Sequence, residues 1–146
     1  MIACFLFFPF SYHLSFIFSV RKLTCPRGLA VDPSTGLLYI AEQGAHRIAV
    51  MDPTSGEVVR TIGKGHGSGP GQLNRPCGIA LDAHGNLLVA DQYNKRVVVF
   101  NAADGEYVAH FPTPSNPDFV FDNSQGNVVV SGGGGYSGDD SFVCVW

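Results

Sequence analysis

Residues 28–51 read GLAVDPSTGLLYIAEQGAHRIAVM, residues 78–100 read GIALDAHGNLLVADQYNKRVVVF, and DFVFDNSQGNVVV at 118–130 opens the same phrase a third time. Superposing the copies on Asp32, Asp82 and Asp122 gives spacings of 50 and then 40 residues. Those spacings are close to the roughly 40–50 residues of one propeller blade. A repeat of this size cannot bury its apolar surface alone and must stack on its neighbours, so the repetition limits the fold more tightly than any composition does.

Within a copy, an alternating run (Gly28–Asp32, Gly78–Asp82) leads into a turn containing Asp and Gly, where the carboxylate accepts turn amides and glycine supplies positive φ. A second strand follows (37–41, 87–90), then a third (47–51, 96–100) and a fourth (58–62, 107–111) after another glycine turn. Each complete unit therefore reads as a four-stranded antiparallel meander. Several runs are apolar at successive positions, which suits sheets covered on both faces by neighbouring sheets. Charged residues are only 14% of the chain while glycine occurs 18 times, so short strands and tight turns are favoured over surface helices. The expected fold is all-β, with about three four-stranded blades, the last supplying three strands, in an incomplete ring.

The segments Pro26-Arg-Gly-Leu-Ala-Val-Asp32 with His46-Arg47-Ile48, and Pro76-Cys-Gly-Ile-Ala-Leu-Asp82 with Asp91 and Asn94-Lys95-Arg96-Val97, resemble NHL repeats. The glycine-rich linker up to Pro76 resembles the crossover between NHL blades. This resemblance extends from about residue 24 to the C-terminus, and it divides the chain into an N-terminal segment, 1–22, and a partial propeller, 23–146. The third copy departs from the pattern. Its opening, Pro117–Asp122, lacks the usual glycine, and Gly132–Ser141 forms a long link that reads as either slack or a binding loop.

Residues 1–20 carry no charged side chain, and Arg21 and Lys22 follow them. They read either as a signal or membrane anchor or as a stray strand over 14–20. The first implies a membrane or secretory location, the second a cytoplasmic one. Cys4, Cys25, Cys77 and Cys144 show no C-x-x-C pairing and are expected to be small buried hydrophobes. The run Gly63–Gly71 lacks the phosphate-loop pattern and is expected to be a flexible crossover. Ser68 does not complete a nucleophile elbow.

His46, His66, His84 and His110 are spread over different repeats, so they are expected to converge only in an assembled ring. Amidating lyases, which resemble NHL proteins in fold, use metal on a propeller, but no ligand set can be carried onto these residues. No catalytic residue, metal or cofactor is expected. The resemblance implies that the links between second and third strands share one face with the blade crossovers. His46, Arg47, Arg75, Gln92, Tyr93, Asn94, Lys95 and Arg96 are the candidate binding residues on that face, and Arg47, Gln92, Tyr93, Lys95 and Arg96 are expected to be exposed. For the two arginines the competing reading is pairing with a turn carboxylate such as Asp91.

The net charge of −3 provides no overall field for nucleic acid, so RNA binding would need a local basic face. The expected function is a non-catalytic protein-interaction module, a fragment of a larger scaffold or ubiquitin-ligase-associated protein. RING and B-box cysteine patterns are not found in this chain. The alternatives are a fragment of an amidating-lyase-like metal enzyme and an RNA-binding NHL domain. For the unfinished ring the favoured expectation is a fragment whose remaining blades are missing, and the alternative is a homodimer that completes a ring, each chain lending residues 14–20 to the other.

Overall fold

The computed structural model describes residues 23–123, 125–133 and 141–146, so the expectations for residues 1–22 lie outside the described residues. Three antiparallel sheets follow one another along the chain. The first blade orders β1 (Pro26–Val31), β2 (Leu38–Glu42), β3 (Arg47–Asp52) and β4 (Glu57–Ile62) as a meander. The second repeats it with β5 (Pro76–Leu81), β6 (Asn86–Asp91), β7 (Arg96–Asn101) and β8 (Tyr107–Pro112). In the third, β9 (Pro117–Asp122) pairs β10 (Val128–Gly132), which pairs β11 (Phe142–Val145). The three sheets do not close into a ring.

Turn chemistry sets the hairpins. Asp32 accepts the Ser34 amide at 2.9 Å and the Ser34 and Thr35 hydroxyls at 2.7 Å each. These bonds, the two hydroxyls first, hold its carboxyl below the usual range. Asp82 accepts the amides of His84 and Asn86, both at 2.8 Å. In the third copy the cap is not Asp122 but Asn123, whose Oδ1 accepts the amides of Gln125 (2.9 Å) and Asn127 (3.1 Å). The Asn123 amide then donates to the Asn127 carbonyl as the Asp82 amide does to Asn86. The register read on Asp122 is therefore off by one residue. An asparagine oxygen caps such a turn as well as a carboxylate, and an aspartate happens to precede it.

The corrected register puts Phe119 where Gly28 and Gly78 stand. Successive first strands cross so closely there that a Cβ on Gly28 would lie 2.3 Å from the Cys77 carbonyl oxygen, and one on Gly78 2.5 Å from that of Asp118. Only glycine admits the neighbouring strand at that distance. Phe119 is 71% exposed.

The core lies between the blades. Tyr39, Ala41, Ile48, Val50 and Ile62 from the first pack on Ile79, Leu87, Val89, Val98 and Phe100 from the second, with Leu73 of the crossover and Ala102. The opposite face of the second blade, Leu88, Ala90 and Val97, packs on Val120 and Val130 of the third. This two-sided burial explains the unbroken apolar runs in β6 and β7. Each such side chain contributes roughly 1.5–3 kcal/mol when removed from water, far more than any turn bond. At the hairpin end the Tyr39 hydroxyl donates to the Ala102 carbonyl at 3.0 Å, and Arg60 reaches the same carbonyl, latching the first blade to the second.

Candidate functional site

The β2–β3 and β6–β7 links are single 3-10 turns, Gln43–Ala45 and Gln92–Asn94, each closed by a left-handed residue: His46 (φ 54°) and Lys95 (φ 50°). Cys25 (φ 51°) and Arg75 (φ 57°), which precede the prolines opening β1 and β5, are left-handed too. Below each turn lies a fully buried carboxylate. Glu42 accepts the Thr24 amide at 2.9 Å and Arg47 Nε at 2.6 Å. Asp91 accepts the Asn74 amide at 2.6 Å, Asn94 Nδ2 at 2.8 Å and Arg96 Nε at 2.7 Å.

Arg96, expected on the exposed face, is buried. Its guanidinium donates to the carbonyls of Ser68 and Gln72, both at 2.8 Å, and of Gly69 at 3.2 Å, besides its ion pair with Asp91. The glycine-rich crossover, expected to be flexible, is wrapped around this fork. Asn94 joins it by donating to the Gly67 carbonyl at 2.8 Å. Arg47, Tyr93 and Lys95 are exposed and Gln92 is half-buried, so the exposed-face expectation fails at Arg96 and is only partly met at Gln92.

Beside these turns a groove of about 700 Å3 runs across the openings of the three first strands. Each of these strands begins with proline and carries a register shift within its first residues, and Arg27, Cys77 and Asp118, the residues after the prolines, all line the groove. Bulges re-aim side chains in this way beside binding sites. Gln43 Nε2 donates to Cys77 Sγ (3.3 Å) and to Gln92 Oε1 (3.4 Å), while Gln92 Nε2 donates to Asp118. Arg75 lies 5.0 Å from the Tyr93 ring centroid and donates to its hydroxyl at 3.2 Å. Burial pushes the Cys77 thiol up, and Asp118 adds to this against the opposing Gln43 bond.

Sequence reasoning missed Arg27, Cys77 and Asp118 as site residues; the shared Pro-X opening of the three copies was the available signal. The three described cysteines are not small buried hydrophobes either, because Cys25 is exposed and Cys77 and Cys144 are half-buried; Cys4 lies outside the described residues.

Two histidines meet within the described chain, contrary to the expectation that they converge only in a ring. The His46 and His66 rings are 4.4 Å apart, and His46 Nδ1 accepts the Arg75 amide at 3.1 Å. Burial, then the charges of His66 and Arg75, lower the His46 pKa against the pull of Asp91. Among the described residues no three His, Cys, Asp or Glu side chains converge on a point that could hold a metal. The described residues therefore do not fit a lyase-type metal centre.

Charge is segregated between the two ends of the blades. Asp32, Asp52, Asp82 and Asp104 cap hairpin turns at one end, with Glu57, Glu106 and Asp122 beside them. At the loop end Glu42 and Asp91 are consumed by Arg47 and Arg96, which leaves Arg27, Lys64, Arg75 and Lys95 exposed against Asp118, itself held by Gln92.

Stacked four-stranded meanders joined by a structured crossover define a protein built from β-propeller blades. The NHL repeat family model matches residues 23–51 and 73–100, and the chain belongs to the NHL-repeat β-propeller family. It is 35% identical over 98 residues to peptidyl-alpha-hydroxyglycine alpha-amidating lyase 2 of Drosophila melanogaster, covering 65% of this chain and 23% of the relative. Protein lin-41 of Caenorhabditis elegans is 45% identical over 51 residues, 35% of this chain and 4% of the relative. A gluconolactonase from Xanthomonas campestris superposes with a TM-score of 0.60 at 28% identity, over 77% of this chain and 36% of that chain. The chain thus spans less than a quarter of the length of these two curated relatives.

Proposed function

We propose that the chain is a non-catalytic protein-interaction module that binds its partner on the loop end of the blades. The observation that carries this reading is the convergence of Arg27, Cys77 and Asp118, one residue from each of three blades, on a single groove flanked by Gln43, Gln92, Arg75 and Tyr93. A rigid scaffold that aims side chains from separate repeats at one concavity suits recognition. Burial pushes the groove's thiol up, so Cys77 is suited to contact and not to nucleophilic attack. The similarity to a lyase named for a peptidyl substrate is compatible with an extended peptide lying in such a groove.

Site-specific crosslinking tests the reading. A photoreactive phenylalanine placed at Tyr93 is expected to form discrete adducts with a protein, whereas one placed at Asp104, at the opposite end, forms none. Arg27→Ala should weaken capture by the probe at position 93 while changing stability by no more than about 0.5 kcal/mol, as is usual for an exposed side chain. Adducts from Asp104 alone, or with no protein at all from Tyr93, would sink it.

A further inference from the structure

We infer that the partner segment received by the loop end is acidic and carries bulky apolar side chains, an inference that rests on the protein-binding reading above and specifies its chemistry. The fold itself creates the charge preference. Hairpin turns at one end need short oxygen-bearing caps and collect aspartates, while the two carboxylates of the loop end are drawn inside and paired. The exposed side chains of Arg27, Lys64 and Lys95 make no hydrogen bond to the described residues, and Arg75 donates only to the Tyr93 hydroxyl. These four cations share one face with a single groove carboxylate, so that face attracts anions although the chain as a whole is acidic. A Debye length of about 8 Å at physiological salt keeps the acidic far end from cancelling this field at contact range.

The groove walls decide between anions. Beside Arg27 and Arg75 it is lined by Leu29, 66% exposed, and Phe119, 71% exposed, with Ile79 and Val120 below them. Asp118 lines the same groove and interrupts its row of cations, which suits spaced carboxylates better than an unbroken row of phosphates. The Tyr93 ring, the aromatic face a base would need for stacking, is already covered by the Arg75 guanidinium. An extended polypeptide alternating carboxylates with large apolar residues satisfies the cations and the apolar wall together.

The probe is a fluorescein-labelled heptapeptide of alternating Glu and Leu, titrated against the full chain beside its Gln/Leu counterpart and an oligouridylate dodecamer. The Glu/Leu peptide is expected to bind at least about tenfold more tightly than the Gln/Leu peptide, and to lose about tenfold in Arg27→Glu/Arg75→Glu and progressively with added salt. Asp52→Ala/Glu57→Ala, at the far end, should bind as the unaltered protein does. Should the Arg75 change impair folding, as seen by circular dichroism melting, Arg27→Glu/Lys95→Glu replaces it. Equal binding of the two peptides, or indifference to charge reversal, would overturn the inference. Tighter binding of oligouridylate would overturn it in favour of RNA. If Tyr93 crosslinks to a protein while the Glu/Leu peptide fails, the acidic assignment falls and the protein-binding reading stands.

Discussion

Arg47 and Arg96 open the third strands of successive blades, and each donates its Nε to a fully buried carboxylate five residues earlier, at 2.6 and 2.7 Å. There the likeness ends. The Arg47 side chain is 44% exposed and Glu42 is its one hydrogen-bond partner among the described residues, whereas Arg96 is 8% exposed and also holds three carbonyls of the crossover. One residue type in one repeat position is a half-exposed partner to a buried carboxylate in the first blade and the anchor of a loop in the second. What differs is the segment that passes over it. The second pair acts less as an electrostatic bond than as a template that gives a nine-residue, glycine-rich stretch of backbone something to bond to.

The largest expected effect breaks the two sites apart. Arg96→Ala leaves Asp91 buried without its cation and the Ser68 and Gln72 carbonyls without the donor that holds them, a loss of about 3–5 kcal/mol. Arg47→Ala also strips a buried carboxylate of its cation, but Glu42 keeps the Thr24 amide, Arg47 is itself half open to solvent and no carbonyl loses a donor, so the loss should be smaller, about 1–3 kcal/mol. Urea denaturation of both variants measures the gap. Arg96→Lys should fall between them, since it keeps the charge but loses the fork. Equal losses for Arg47→Ala and Arg96→Ala would show that the crossover is not what separates the two sites.

A second pair of variants sharpens the comparison by asking whether the blades differ anywhere else. Gly28→Ala and Gly78→Ala each drive a Cβ against a carbonyl of the next blade, and both should cost about 1–3 kcal/mol by overpacking. Similar thermal shifts for the two would confine the asymmetry to the loop end. A large inequality would mean that one blade interface is intrinsically weaker.

The smallest effect concerns pH. His46 in the first blade occupies the left-handed position that Lys95 holds in the second. Because its folded-state pKa is lowered, the folded protein resists protonating it, so its contribution is intact above the ordinary histidine value of about 6.5 and is lost as pH falls through the lowered folded pKa. Protonation would also require His46 Nδ1 to stop accepting the Arg75 amide. Stability measured from pH 7.5 to 5 should decline, and His46→Asn, which keeps the left-handed backbone, should flatten part of that slope. An unchanged slope would place the pH sensitivity elsewhere.

The strands were legible because their signals are local: alternation, Asp and Gly at the turns, and apolar runs that only two-sided burial explains. Asn123 was misread because Asp122 beside it offers the same chemistry one position early. The fate of Arg96 could not be read, since it depends on the carbonyls of residues 68, 69 and 72 arriving over it from another part of the chain. The meeting of His46 with His66 was hidden for the same reason. The groove residues were missed differently, because a bulge that re-aims Arg27, Cys77 and Asp118 leaves no mark on the alternation around it.

The left-handed residues also govern how such a loop face can diverge. Cys25, His46, Arg75 and Lys95 hold φ between 50° and 57°. Valine, isoleucine and threonine are poorly tolerated there, while asparagine and glycine enter at little cost. Drift at these four positions therefore runs along a narrow channel, exchanging a charged or titrating side chain for a neutral one without asking the backbone to move. A lineage carrying this scaffold can erase or restore charge at the loop end one residue at a time while its architecture is inherited intact.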